Sequence, residues 1–331
     1  MTNIPDRVPL ANLPTKIEKL ERLSAQLGGP SLFIKRDDQT GTEFSGNKVR
    51  KLEYSLKEAL AAGHDYVITC GGIQSNHCRS TAAAAAKLGL KSYLVLRGNE
   101  PQEPDGNLLL DHLLGAQIRY ITAEEYRERR AEIMESVKDK LTGQGYKPYI
   151  IPEGASNGIG SFGYYTALRE IVEQEKELGV HFDAIVVAVG SGGTYAGLLL
   201  ASKTLHYKAD IIGINVCDDE YYFRHVIDSI LQDSGRYLQE DIAYAKQDFH
   251  IIDGYVGQGY GISSPEVRQF IFDFAKLEGV ILDPVYTGKA LFGLVEEIKK
   301  GRFNDLHNIL FIHTGGLFGL FPQKHEFINP N

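Results

Sequence analysis

Gly46-Asn47-Lys48-Val49-Arg50-Lys51 puts three cations into what the following residues make the first turn of a helix. Apolar residues recur at Val49, Leu52, Leu56 and Leu60, the spacing of an amphipathic helix. A helix start carries partial positive charge, so each cation there costs roughly 0.3 to 1 kcal/mol. A local rule broken in this way marks a candidate functional site. The plainer alternative is a solvated helix start in which Glu53 and Glu58 balance the lysines.

The 331 residues suffice for about two domains with large cores. A hydrophobic fraction of 43% and a charged fraction of 24% are those of an ordinary globular protein. The net charge of -8, with no basic cluster beyond the opening stretch, argues against a nucleic-acid partner. Residues 1–7 hold no apolar leader and no run approaches the length of a membrane span, so no membrane partner is expected and the cytoplasm is the default location. Cys70, Cys78 and Cys217 form no CxxC pair, which suits a reducing compartment.

Outward from the cationic turn, the chain cycles between short β-rich runs and helical runs. A turn and short helix are expected over Pro14 to Leu27, and strands at 32–35, 66–70, 92–96, 118–121 and 148–151, with helices at 79–88, 108–114 and 124–141 between the later ones. The second half repeats the habit: helices at 162–178, 195–205, 220–231, 265–277 and 288–299, strands at 184–189, 211–216, 249–252 and 309–313. Residues 233–248 are polar and carry no clear pattern. Such alternation predicts an α/β fold with mostly parallel sheets covered on both faces.

Several loops after strands could hold chemistry. Gly190-Ser191-Gly192-Gly193-Thr194 lies between an apolar strand and a helix, where free N–H groups make an anion cradle, phosphate above all. It lacks a Walker lysine and the G-x-G-x-x-G spacing, although Asp218 after the next strand leaves a dinucleotide site open; the structural alternative is a tight turn. Gly71-Gly72-Ile73-Gln74-Ser75-Asn76-His77 gathers amides, a hydroxyl and an imidazole beyond another strand, unless Ser75 or Asn76 only caps a helix. Cys70, His77 and Cys78 offer poor geometry for zinc, so no metal is expected. Asp283 to Lys289, His313-Thr314-Gly315-Gly316 and the aromatic Tyr260 complete the set, and no G-x-S-x-G elbow is present.

A lysine at a strained helix start, a phosphate cradle and an aromatic platform together suit pyridoxal phosphate, which needs a Schiff-base amine, an anion site and a flat surface. The chain resembles the tryptophan-synthase-β-like, fold type II pyridoxal enzymes, and within them the D-cysteine desulfhydrase and 1-aminocyclopropane-1-carboxylate (ACC) deaminase family. The resemblance rests on Ile34 to Asp38, Gly46 to Glu53, Gln74 to His77, Gly190 to Thr194, Asp283 to Lys289 and His313 to Gly316. It implies Lys48 as the Schiff-base lysine and Lys51 as a phosphate contact, with Gly190, Ser191, Gly192, Gly193 and Thr194 holding the phosphate. It further implies that Asn76 meets the ring hydroxyl, that Ser75 holds the substrate carboxylate with Gln74, Asn76 and His77 around it, that Tyr286 stacks near the ring and that Tyr260 faces the substrate. Arg50, Lys51, the helix dipole and burial should all favour a neutral Lys48, able to attack and to act as base.

Within that family Thr287 and Thr314 bear most on the reaction. ACC deaminases resemble this chain except for Glu after the tyrosine and Leu before the Gly-Gly, whereas desulfhydrases carry hydroxyl residues at both places. A hydroxyl beside the pyridine nitrogen gives a shallower electron sink than a carboxylate, which suits β-elimination with a good leaving group. The implied reaction is D-cysteine to pyruvate, sulfide and ammonia, with ACC deamination or L-cysteate sulfo-lysis as alternatives. Thr42-Glu43-Phe44-Ser45 and Cys78 depart from the usual desulfhydrase pattern. The implied architecture is two three-layer α/β/α domains, a discontinuous large one (1–51 and 161–331) and a small one (52–160), in a homodimer. A non-catalytic ligand-binding protein and a nicotinamide-dinucleotide dehydrogenase are the alternatives of other classes.

Overall fold

The first half of the chain runs β1 (Ile17–Lys19), α1 (Glu21–Leu27), β2 (Ser31–Lys35), α2 (Lys48–Ala61), β3 (Tyr66–Gly72), α3 (Asn76–Lys87), β4 (Lys91–Arg97), α4 (Gly106–Leu113), β5 (Gln117–Ile121), α5 (Ala123–Gly143) and β6 (Pro148–Ile150). The second half runs α6 (Gly158–Leu178), β7 (Ala184–Val189), α7 (Gly193–Thr204), β8 (Asp210–Asn215), α8 (Glu220–Leu238), β9 (His250–Ile252), α9 (Pro265–Glu278), α10 (Thr287–Lys299), β10 (Asn308–Ile312) and α11 (Lys324–Ile328). This computed structural model describes residues 4–239 and 242–328. No helix among them is long and apolar enough to cross a membrane.

The strands form two sheets. One has the order β1-β2-β10-β7-β8-β9 and is parallel except for β1, which pairs antiparallel with β2; the other, β5-β4-β3-β6, is wholly parallel. β7 shows why the first sheet needs helices on both faces, since every residue in it is buried. Ile185, Val187 and Val189 pack on one side with Phe162, Leu198 and Ile227 of α6, α7 and α8. Ala184, Val186 and Ala188 face the other side, with Leu23, Ile271 and Leu294 of α1, α9 and α10. The period of two along a strand makes both sets necessary, and each fully buried Val or Leu contributes about 1.5 to 3 kcal/mol. In the second sheet Leu94 and Leu96 of β4 meet Cys78 and Ala82 of α3, while Val95 meets the α5 face of Tyr126, Ile133 and Val137.

Two expectations need correction. Ile17–Lys19, expected within a turn and short helix, is an edge strand bonded to Phe33–Lys35. Residues 233–238, left without pattern, continue α8 to Leu238. Apart from these, α2 is unbroken from Lys48 to Ala61 and α6 from Gly158 to Leu178, so residues 51–52 and 160–161 each lie within a helix.

Candidate active site

The start of α2 is pinned from two sides. Asn47 occupies the cap position, yet its side chain does not cap the helix; Nδ2 donates to Thr194 Oγ1 at 2.9 Å. Its backbone N–H donates to the Thr314 carbonyl at 3.1 Å. Gly46 has φ of +106°, and an added Cβ would stand 2.5 Å from that same carbonyl, so only glycine fits. Lys48 therefore lies in a cleft shared with Asn76, Gly190, Ser191, Gly192, Thr194, Tyr286 and Thr314. Its Nζ makes no hydrogen bond or ion pair among the described residues. Burial lowers its pKa to about 8, against a smaller opposing pull from the Glu153 carboxylate.

The three cations have separate fates. Arg50 is buried and fully paired: Nε and Nη2 donate to the two Asp37 oxygens at 2.9 and 2.8 Å, and Nη1 and Nη2 to Glu170 at 3.0 Å each. Neutralised in this way, it does not supply the charge expected to hold Lys48 neutral. Lys51, one helical turn beyond Lys48, is wholly buried, and burial followed by the charge of Lys48 pushes it well below the ordinary lysine range. Neither glutamate balances the lysines. Glu53 accepts from the backbone N–H groups of Leu10 and Ala11 at 2.7 and 2.8 Å, and Glu58 accepts from the hydroxyls of Tyr149 and Tyr237.

The glycine-rich loop is built as an anion cradle. α7 begins after Gly192, at φ +79°, with no side-chain cap, which leaves the first N–H groups of the helix to a ligand. Lys51 Nζ at 3.3 Å, the Gly193 N–H at 3.3 Å and Ser191 Oγ at 2.8 Å converge on Ser156 Oγ. A Cβ on Gly193 would fall 2.6 Å from that oxygen. Three potential donors meeting at one oxygen, beside a half-buried amine of lowered pKa, fit a phosphate with an aldehyde within reach of Lys48. Sequence reading missed Ser156; its signal is its place just past β6, where parallel sheets present ligand-binding loops.

Ser75, like Lys51 and Ser156, is not among the cleft's lining residues; its Oγ caps α3 by accepting from the Cys78 N–H at 3.2 Å, and its own O–H remains free to donate. Asn76 lines the cleft. Gln74 is spent elsewhere, its Nε2 on the Asp105 carbonyl and its Oε1 on the Asn107 N–H, both at 2.9 Å. His77 is buried against Thr69 Oγ1 at 2.8 Å and is kept neutral by burial and by the charges of Lys48 and Lys51. Both therefore stand behind the cleft rather than among its lining residues.

Tyr286 and Tyr260 meet edge to face, 5.9 Å between centroids, with hydroxyls 2.6 Å apart. The Tyr260 ring is 37% exposed, but burial of its hydroxyl pushes the phenol up to about 12. Two further side chains hold this pair in place. Lys289 Nζ donates to the carbonyls of Val256 and Gly259 at 2.7 and 2.8 Å, and the Arg97 guanidinium stacks 5.1 Å from the Tyr260 centroid. Thr287 does not reach the cleft: its hydroxyl donates to Asp283 Oδ1 at 2.7 Å and accepts the Asp283 N–H at 2.9 Å. Thr314 does line it, and its hydroxyl has no partner among the described residues.

Two open α/β sheets, a reactive lysine and a helix-start phosphate cradle define a pyridoxal-phosphate enzyme of the tryptophan-synthase-β-like fold. Residues 8–315 match the family model described as pyridoxal-phosphate dependent enzyme, and the chain belongs to that family. It is similar to the bifunctional D-cysteine desulfhydrase/1-aminocyclopropane-1-carboxylate deaminase of Arabidopsis thaliana, 44% identical over 96% of this chain and 80% of that one. A D-cysteine desulfhydrase of Klebsiella pneumoniae is 41% identical over 97% of both. A crystal structure of an ACC deaminase homologue superposes with a TM-score of 0.90 at 40% identity, over 99% of this chain and 97% of that one. The cofactor is thus pyridoxal 5'-phosphate, and the dinucleotide alternative falls away with Asp218, which lies outside the cleft lining.

Proposed function

We propose that this protein is a pyridoxal-phosphate-dependent carbon-sulfur lyase that converts D-cysteine to pyruvate, sulfide and ammonia. The observation that carries this reading is Lys48, an amine with its pKa lowered to about 8, in one cleft with the cradle and with Thr314. The bound cofactor supplies an aldehyde for the substrate amine and an electron sink for the α-carbon. Lys51, Ser156, Ser191, the Gly192 and Gly193 backbone and Thr194 would hold its phosphate, and Lys48 would be the amine that holds its aldehyde. The Ser75 hydroxyl and neighbouring N–H groups hold the substrate carboxylate. Lys48 Nζ takes the α-proton, a role open only to a neutral amine. Tyr260 and Tyr286, with phenols held protonated at neutral pH, face the leaving group as acids rather than bases.

Thr314 distinguishes the candidate reactions. A hydroxyl beside the ring nitrogen favours direct loss of sulfur over the cyclopropane opening of ACC. That both activities occur in the name of the Arabidopsis relative keeps ACC as the second reading, with L-cysteate third. This reading also takes the protein to act in the cytoplasm as a homodimer, with the cofactor between the two sheets and residues 52–160 as the smaller domain. Purified protein offered D-cysteine, L-cysteine, ACC and L-cysteate should release sulfide with pyruvate from D-cysteine. Turnover confined to ACC, read as 2-oxobutanoate, or to L-cysteate, read as sulfite, would replace D-cysteine; Lys48→Ala retaining turnover would end the lyase mechanism itself.

A further inference from the structure

The amide of Asn76 is oriented by a buried chain of hydrogen bonds that begins at Arg79. Both Arg79 and Asn107 are wholly buried. Arg79 Nη2 donates to the Ser45 carbonyl at 2.9 Å and Nη1 to the Glu43 carbonyl, tying α3 to the loop that leads into Lys48. Its Nε donates to Asn107 Oδ1 at 2.8 Å. A guanidinium can only donate, so the Asn107 atom facing it must be the oxygen.

The rest of Asn107 is then determined. Its Nδ2 donates to the Gln74 carbonyl at 3.0 Å and to Asn76 Oδ1 at 2.9 Å. The Gln74 carbonyl can only accept, which independently requires the same orientation. Gln74 secures the arrangement from its other end, its Oε1 accepting the Asn107 N–H at 2.9 Å. With Oδ1 committed to Asn107, Asn76 keeps its NH2 for the cleft that it shares with Lys48.

We propose that Asn107, held by Arg79, is a positioning residue that makes Asn76 a hydrogen-bond donor toward the cofactor, and that the ring oxygen of pyridoxal phosphate is what receives it. The proposal rests on the cofactor reading above. A donor at that oxygen favours its ionised form, and an acceptor in the same place disfavours it. The polarity of one amide, set 31 residues away in sequence at Asn107, thus reaches the colour of the bound cofactor.

Asn107→Asp tests this because it keeps an acceptor for Arg79 while removing the donor to Asn76. Asn76 then turns its NH2 toward the new carboxylate and offers its oxygen to the cleft. We expect the visible absorption band of the loaded protein to move, and the dissociation constant for pyridoxal phosphate, titrated into apoprotein, to rise on the order of tenfold. Asn107→Ala frees the Asn76 amide and should give a band between parent and Asn107→Asp. A parent-like band in whichever of the two variants folds overturns the proposal, even if the apoprotein melts earlier, since that is the result of a merely structural residue. Failure of the cofactor reading looks different: the parent itself would take up no chromophore.

Discussion

Lys48→Met should stabilise the apoprotein, and by an amount that depends on pH. The folded chain holds the Lys48 amine at about 8 against an ordinary 10.5, chiefly through burial. At 1.36 kcal/mol per tenfold change in proton affinity, that difference corresponds to at most about 3 kcal/mol of destabilisation at pH 7. Between about pH 8 and 10.5 the unfolded chain binds the extra proton, so stability contributed by this group rises with pH and the penalty fades. Methionine has a similar stem and no charge, and so removes the penalty at every pH. Lys51 and His77, whose proton affinities the Lys48 charge depresses, are relieved by the same substitution and act in the same direction. Denaturant unfolding of both apoproteins at pH 7, 8.5 and 10 should show the variant ahead by about 1 to 3 kcal/mol at pH 7, with the gap closing toward pH 10. A gap independent of pH, or a variant less stable than the parent at pH 7, would refute the claim that burial sets the state of this amine.

Other substitutions separate the parts of the site. Ser156→Ala should weaken pyridoxal phosphate binding several-fold, with the apoprotein melting point nearly unchanged; an unaltered dissociation constant would remove Ser156 from the phosphate site. Thr287→Val removes a hydroxyl that serves Asp283, and should cost about 0.5 to 2 kcal/mol of stability with little change in the visible spectrum. Thr314→Val should do the reverse, changing spectrum and kcat more than stability, and equal effects from both would contradict the placement of Thr314 alone in the cleft. Asp37→Asn leaves Arg50 short of a buried partner and should cost about 3 to 5 kcal/mol, measured as a shift in the urea midpoint.

Much of this architecture is legible in the chain because its causes are local. β7 is read from an unbroken apolar run, α9 from the helical pattern that begins at Pro265, and the cradle from glycines between a strand and a helix. β1 is missed because an edge strand of three residues is defined by its partner rather than by its own pattern. The end of α8 is missed because Ser234 is buried through hydrogen bonds to Ser161 and the Ile230 carbonyl, a polar residue on an inner face. Ser156 and Asn107 escape for the same reason. Their meaning lies in contacts 35 and 31 residues distant, with Ser191 and Asn76; of the two, only Ser156 carries a sequence signal, its position just past a strand. Thr287 is the opposite case: it stands next to Tyr286 and so reads as a site residue, but the first turn of α10 directs it to Asp283.

The cationic turn itself shows why residue type alone does not give role. Lys48 and Lys51 are three apart and share one helix face, so Lys48 lines the cleft while Lys51 reaches Ser156 behind it. Arg50 lies between them on another face, where Asp37 and Glu170 wait with Thr15 and Tyr164 around them. A buried ion pair of this kind gains little net stability over apolar packing, but it strongly penalises any displacement that separates the partners. Its contribution is therefore positional: it fixes the register of α2 against α6, so that two amines disfavoured by burial are held at the cradle instead of turning out to water. The helix start that looked uncompensated from sequence is compensated one residue away from the lysines it serves.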